Sequence, residues 1–261
     1  MSGAAGPELT PTADPDVVVL ADADELAGAV AARLLARLQA AQAERGEASV
    51  VLTGGSVGIA VLRAVRDSPE RGAVDWTRVD LWWGDDRWVA QDSPDRNDGQ
   101  AREALLDALD LDPSRVHRMG FRGGPDGDDP DAAAARYAQE LRAAAGPGEL
   151  VPAFDVLLLG MGPEGHTASI FPESPAAHDE RTALAVHGCP KPPPTRVSLG
   201  FPALTAAREV WVVAAGEEKA PMVALALSGV GRVQVPVAGA RGREQSLWLL
   251  DEAAAAELDR N

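Results

Sequence analysis

Residues 154–174, FDVLLLGMGPEGHTASIFPES, place Gly160, Gly162 and Gly165 directly after an apolar run, with His166 immediately behind them. The G-x-G-x-x-G spacing is that of a dinucleotide-binding turn, whose glycines let the backbone approach a pyrophosphate. Such a turn requires a full helix after it, then a strand ending in an acid about 20 residues on. Here Pro172 arrives seven residues after Gly165. Proline inside a helix costs ~3 kcal/mol, so any helix is a turn or two long. Asp179 and Glu180 stand before the next apolar stretch instead of ending it. These features argue against NAD. The other chemistry open to the motif is approach of a small anionic ligand to bare backbone, with His166 facing it from a helix N-terminus. A helix dipole would hold that imidazole neutral and able to accept a proton, with Glu164 beside it. A histidine that merely packs or caps is the plainer reading of the same spacing.

Other segments offer complementary groups. Gly54-Gly55-Ser56 follows the apolar VVLT and opens a helix. Its N–H groups and hydroxyl suit a phosphate, although an ordinary turn capped by Ser56 fits equally. Asp85-Asp86-Arg87 ends a third strand beside Trp82, Trp83 and Trp88. Arginine suits bidentate phosphate binding and the acids could orient it; a surface ion-pair cluster is the alternative. Lys219 stands three residues past Gly216 at a helix start, against the usual dipole preference, so either a bound anion or plain solvent exposure accounts for it. Arg196 begins an apolar stretch after a proline-rich loop.

The elements that must position these groups alternate. An amphipathic helix carries Leu26, Val30, Leu34 and Leu38, and a second carries Ile59, Leu62 and Val65. Two further helices are predicted over DGQAREALLDAL and DAAAARYAQELRAAAG, and SLWLLDEAAAAEL is expected to be a strand leading into a last helix. The strands are continuous apolar runs, as in a parallel sheet buried on both faces. The pattern predicts an open, doubly wound, mostly parallel, Rossmann-like α/β fold with helices on both faces. Residues 1–15 are expected to be a flexible tail and 16–261 a single α/β domain. Ligands in such sheets bind beyond the carboxyl ends of the strands, where the four polar turns lie.

The formal net charge of -16, from 40 acidic against 24 basic residues, speaks against nucleic acid or an anionic membrane as partner. No apolar run approaches the roughly 20 residues needed to span a bilayer. No signal-peptide pattern is present, and the single Cys189 rules out an internal disulfide; a cytoplasmic protein is expected. Only two of the 24 basic residues are lysines, Lys191 and Lys219. An acidic protein that binds an anion must gather its cations locally, so the turns together point to a sugar phosphate or similar ligand.

In order and spacing, LTGGSVG, GDDRWVAQDSPDRND, LLLGMGPEGHTASIFP, TRVSLGFPAL and VVAAGEEKAPMV resemble the 6-phosphogluconolactonase family, which shares its fold with glucosamine-6-phosphate deaminase. The resemblance spans residues 52 to about 229. It implies hydrolysis of 6-phospho-D-glucono-1,5-lactone to 6-phosphogluconate without a metal or organic cofactor. It casts His166 as the general base on water, oriented by Glu164. Gly54, Gly55, Ser56, Arg87, Arg196 and Lys219 would surround the phosphate and ring, supported by Asp85, Asp86, Gly162 and Gly165. A monomer or weak dimer is expected. The chain departs from the family pattern in four places: Glu164 stands for Asp, Asp86 for Glu, Val57-Gly58 for Thr-Pro, and Arg96 for Ser. The Val57-Gly58 exchange is expected to make the phosphate loop more flexible.

Two other functions compete. The deaminase branch continues its glycine-histidine motif with Asn-Glu-Pro, where this chain has Ile170-Phe171-Pro172, and has an Asp-Glu-Tyr strand end where this chain has Asp86-Arg87-Trp88. A non-catalytic sugar-phosphate sensor would carry a DNA-binding helix-turn-helix, for which the 15-residue leader is too short, and could have dispensed with His166.

Overall fold

The computed structural model describes residues 15–258, so the expected tail lies outside the described residues except for Pro15. The elements are β1 (Asp16–Leu20), α1 (Ala23–Arg45), β2 (Ala48–Leu52), α2 (Gly55–Asp67), β3 (Val79–Trp83), β4 (Asp85–Arg87), α3 (Asn97–Ala104) and α4 (Pro130–Ala144). They continue with β5 (Val156–Gly160), β6 (Ala183–Val186), β7 (Arg196–Leu199), α5 (Phe201–Leu204), β8 (Glu209–Ala214), α6 (Ala220–Leu227) and β9 (Gln245–Asp251).

Six strands make one sheet in the order β1-β9-β8-β5-β2-β3, every neighbouring pair parallel. This is the predicted α/β architecture. In β8, Trp211 and Val213 enter the main core while Val212 and Ala214 enter a second one under α6. In β9, Leu247 and Leu249 separate from Trp248 and Leu250 in the same way. Both faces are covered, which is why these strands read as unbroken apolar runs. The predicted stripe of α1 is buried throughout, and the Asp22 carboxylate caps that helix by accepting the N–H groups of Asp24 and Glu25 at 3.0 and 2.9 Å.

The sequence reading missed a second sheet. β4, β7 and β6 form a three-stranded antiparallel layer, and β4 follows β3 after Gly84 alone. The Gly84 N–H donates to Leu52 in the large sheet, while its carbonyl accepts the N–H of Leu199 in the small one. One residue thus changes sheets within what looks like a single strand. The predicted C-terminal helix is also absent: after β9 the chain makes turns over 252–257. Ala254 and Ala255 are buried in the second core, and their N–H groups close onto the Asp251 side chain and carbonyl at 2.7 and 3.0 Å, so the segment is held as turns.

β2 and β5 are neighbours, but the sheet grows away from them in opposite directions, to β3 on one side and β8 on the other. Loops leaving their carboxyl ends therefore diverge and leave a crevice, the usual ligand position in such sheets. Among the described residues no helix is long and apolar enough to cross a membrane.

Candidate active site

At that crevice lies a cavity of about 310 Å³. Gly54, Gly55 and Ser56 line it from the β2–α2 turn, Asp85 and Arg87 from β4, Gly162 and His166 from the glycine turn, Arg196 from β7 and Lys219 from the segment after β8. The fold brings all four polar turns to one place. Glu164, Asp86 and Gly165 are not in the wall. Both lysines of the chain line it, so Arg87, Lys191, Arg196 and Lys219 face only Asp85 and Glu218 there. In a chain of net charge -16, this concentrates positive potential where an anion can enter.

The glycine turn has a steric purpose. A Cβ on Gly162 would collide with the His166 ring and the Glu164 carboxylate, and one on Gly165 (φ 87°) would sit 2.8 Å from Val235 Cγ1. The turn is closed by the Gly162 N–H donating to the His166 carbonyl at 3.0 Å. We expect Gly162→Ala to displace the imidazole and lower turnover on the order of 10²-fold, since about 1 Å of misplacement has that effect. A steady-state assay on folded protein checks this; unchanged turnover would mean the ring position is irrelevant.

His166 does not stand at a helix N-terminus. After Gly165 the chain folds back through a Thr167–Ile170 bridge. Thr167 Oγ1 donates to the Gly160 carbonyl at 3.0 Å, and Ser169 Oγ to Asp85 Oδ2 at 2.6 Å. These tertiary partners replace a helix. The imidazole is held below its ordinary pKa all the same, but by burial and not by a dipole; Glu164 opposes the shift and Lys191 adds to it. The ring stacks on Phe171, centroids 4.4 Å apart. Its Nδ1 lies 3.0 Å from Glu164 Oε1, close enough for an ion pair but out of line for a hydrogen bond. Glu164 Oε2 accepts from Lys191 Nζ at 3.0 Å. Burial pushes the Glu164 carboxyl up, but its own N–H, Lys191 and His166 outweigh this and hold it below the usual range.

The β2–α2 turn presents a helix N-terminus to the cavity, with Gly54 as the cap residue and Gly55 at φ 79°. Ser56 lies inside the helix and is not its cap. The amides and dipole of α2 favour an anion by about 0.3–1 kcal/mol at an exposed end. Gly58, expected to loosen this loop, has a packing role instead: a Cβ there would come within 2.6 Å of the Thr53 carbonyl oxygen.

Arg87 donates through one amino group to the Asp95 carbonyl at 3.0 Å and to Asn97 Oδ1. Asn97 Nδ2 donates in turn to the Asp85 backbone carbonyl and side chain at 2.8 and 3.1 Å. A Cβ on Gly54 would strike that same amide, so the helix N-terminus, Asn97 and Arg87 are contiguous. Arg196 is buried, donates to the carbonyls of Lys191 and Pro193 at 3.0 and 3.2 Å, and lies 3.8 Å from Asp85. It fastens the loop that carries Lys191. On the far side, Asp251 accepts the Gly216 N–H at 3.1 Å and anchors the turn leading to Lys219.

Asn97 and Lys191 are functional candidates that residue spacing did not single out. The scarcity of lysine was the only signal for Lys191, and nothing local marks Asn97. Among the described residues no group of three or more His, Cys, Asp or Glu side chains is placed to hold a metal ion.

Residues 21–248 match the family model described as glucosamine-6-phosphate isomerases/6-phosphogluconolactonase. A 6-phosphogluconolactonase of Streptomyces coelicolor is 57% identical over 250 residues, covering 95% of this chain and 96% of the relative. One from Mycobacterium tuberculosis is 48% identical over 243 residues, covering 93% and 98%. The solved 6-phosphogluconolactonase of Trypanosoma brucei superposes with a TM-score of 0.78 at 29% identity, covering 94% of this chain and 98% of that one.

Proposed function

The chain belongs to the glucosamine-6-phosphate isomerase/6-phosphogluconolactonase family, and from that premise we propose that it hydrolyses 6-phospho-D-glucono-1,5-lactone to 6-phospho-D-gluconate, with His166 as the base on water. The observation that carries this reading is a histidine held neutral by burial in the wall of a cavity with four cations. A lactone is an activated ester. It needs a positioned water, a base matched to neutral pH and support for a developing oxyanion.

Nδ1 faces Glu164, which leaves Nε2 to take the proton from water. The new C–O bond forms at the lactone carbonyl carbon and its oxygen becomes an oxyanion. Collapse breaks the bond to the ring oxygen, which takes the proton back from the imidazolium as it becomes a hydroxyl. Glu164 stabilises the transient imidazolium across 3.0 Å. Arg196, which lies over the same Phe171 ring that carries His166, and Lys191 supply positive potential for the oxyanion. The α2 N-terminus and Arg87 take the phosphate, with Lys219 lining the same cavity.

The deaminase reading is disfavoured at one position. Where that branch carries a carboxylate, this chain presents the apolar face of Phe171 against the His166 ring. Fresh 6-phosphogluconolactone, followed by NMR against its spontaneous hydrolysis, tests the proposal, with glucosamine 6-phosphate as the parallel substrate. Acceleration of lactone opening by orders of magnitude supports it; a rate equal to the spontaneous one rejects it.

The pH profile gives a second test. Neutral imidazole is the active form, so kcat/KM falls as pH drops through the His166 pKa, below the ordinary histidine value. Glu164 raises that pKa and Lys191 lowers it. Glu164→Gln is therefore expected to move the acid limb to lower pH, and Lys191→Met to higher pH. Limbs that stay put, or move together, would remove His166 as the titrating group.

A further inference from the structure

Arg96 has no counterpart in the chemistry above and does not reach the cavity, yet its side chain is completely buried. Burying a guanidinium is costly unless each of its donors is matched. Here four donated hydrogen bonds and one ion pair provide the match. Nε donates to Asp98 Oδ1 at 2.8 Å. One amino group donates to the carbonyls of Arg87 and Gly120, both at 3.1 Å. The other donates to the Met119 carbonyl at 3.1 Å and pairs with Asp86 Oδ2 at 2.9 Å.

The acceptors belong to three separate segments: β4, the start of α3, and the loop at 119–120. The first two carry Arg87 and Asn97, the cavity residues adjoining the α2 N-terminus. The Asp86 carboxylate accepts the backbone N–H groups of Arg87, Asn97 and Asp98 at 2.8, 2.7 and 3.2 Å. It thereby caps α3 from another element, since Arg96 at the cap position makes no side-chain cap of its own. Burial pushes the Asp86 carboxyl up, and Arg96 with the N–H donors opposes that. One cation thus ties down the strand end behind Arg87 and supports the carboxylate that fixes the backbone of both Arg87 and Asn97.

We propose that Arg96 is a positioning residue for phosphate recognition: its hub of four hydrogen bonds and one ion pair sets the Arg87–Asn97 pair against the α2 N-terminus. The proposal rests on the reading that this side of the cavity takes the substrate phosphate. It joins the two departures Asp86 and Arg96 into a single device, a shorter acid and a buried cation that meet at 2.9 Å.

The test uses Arg96→Lys, which keeps the charge but cannot reach five acceptors in three segments, and Asp98→Asn, which weakens a single spoke. The readouts are KM for the phosphorylated lactone and Ki for inorganic phosphate, neither of which depends on the fraction of protein that is folded. We expect Arg96→Lys to raise both at least tenfold with kcat changed less than threefold, and Asp98→Asn to move both the same way by less. If both variants keep KM and Ki within twofold and lower only yield or melting temperature, Arg96 is merely structural and the proposal is wrong. Should Arg96→Lys not fold, Asp98→Asn alone decides between these outcomes. Arg87→Ala is the control that separates the two readings. Unchanged KM and Ki in that variant overturn the phosphate assignment itself, whereas raised values there and none in the Arg96 and Asp98 variants overturn only the role of Arg96.

Discussion

Replacing His166 with alanine is expected to lower kcat for lactone opening by about 10²–10⁴-fold, the usual contribution of a positioned base, while the protein stays folded. Folding should survive because the ring is held by one stack on Phe171 and by a poorly aligned contact with Glu164, not by a buried hydrogen-bond network. The surrounding turn is secured independently through Thr167, Ser169 and the Gly162 amide. Circular dichroism and the melting midpoint report the fold, and NMR against the spontaneous reaction reports the chemistry. Residual activity in the variant is expected to have lost the acid limb, because no other histidine lines the cavity. A variant that keeps a third of the parental rate, or keeps the limb, would mean the proton is taken elsewhere.

What could be read in advance depended on whether a feature was fixed locally or by distant partners. α1 and the apolar strands follow from periodicity and continuity, and the α1 stripe is buried residue by residue, whereas the edge strand β1 leaves Val17 and Val19 exposed. The Gly54–Ser56 turn, Arg87 and Lys219 were recognisable as strand-end polar groups; the parallel sheet carries the first and last to a common end, and the small sheet brings Arg87 and Arg196 there. The small antiparallel sheet was hidden because β4 follows β3 across one glycine, and its pairing with β7 joins Arg87 to Arg196, far apart in sequence. His166 lies in the cavity wall with the four cations, but not by the route that the spacing suggested. The spacing suggested a helix dipole, whereas contacts from Ser198 and Asp85 draw the segment into a buried turn. Arg96 was visible only as a departure from the family pattern, since its meaning lies in five partners from three segments. The charge of a residue is local information; which partner neutralises it is not.

The phosphate of the substrate offers the other large effect, and a thermodynamic cycle isolates it. One amino group of Arg87 is held by Asn97 and the Asp95 carbonyl, and its Nε is buried without a partner among the described residues. The guanidinium is therefore oriented, and as Arg87 lines the cavity, its other amino group, which donates to none of the described residues, is the donor left for a ligand oxygen. A hydrogen bond between charged groups contributes about 1.5–3 kcal/mol, so Arg87→Ala is expected to lower kcat/KM for the phosphorylated lactone roughly 10- to 150-fold. For unphosphorylated gluconolactone the same substitution should have little effect, because the interacting group is missing already. The ratio of the two losses is the coupling between guanidinium and phosphate, and effects common to both substrates cancel from it. Equal losses would mean that Arg87 shapes the cavity without touching the phosphate. Lys219→Ala run through the same cycle tells whether the lysine shares that contact: its compact ammonium, 3.5 Å from Glu218, is partly neutralised, so a smaller coupling than that of Arg87 is expected.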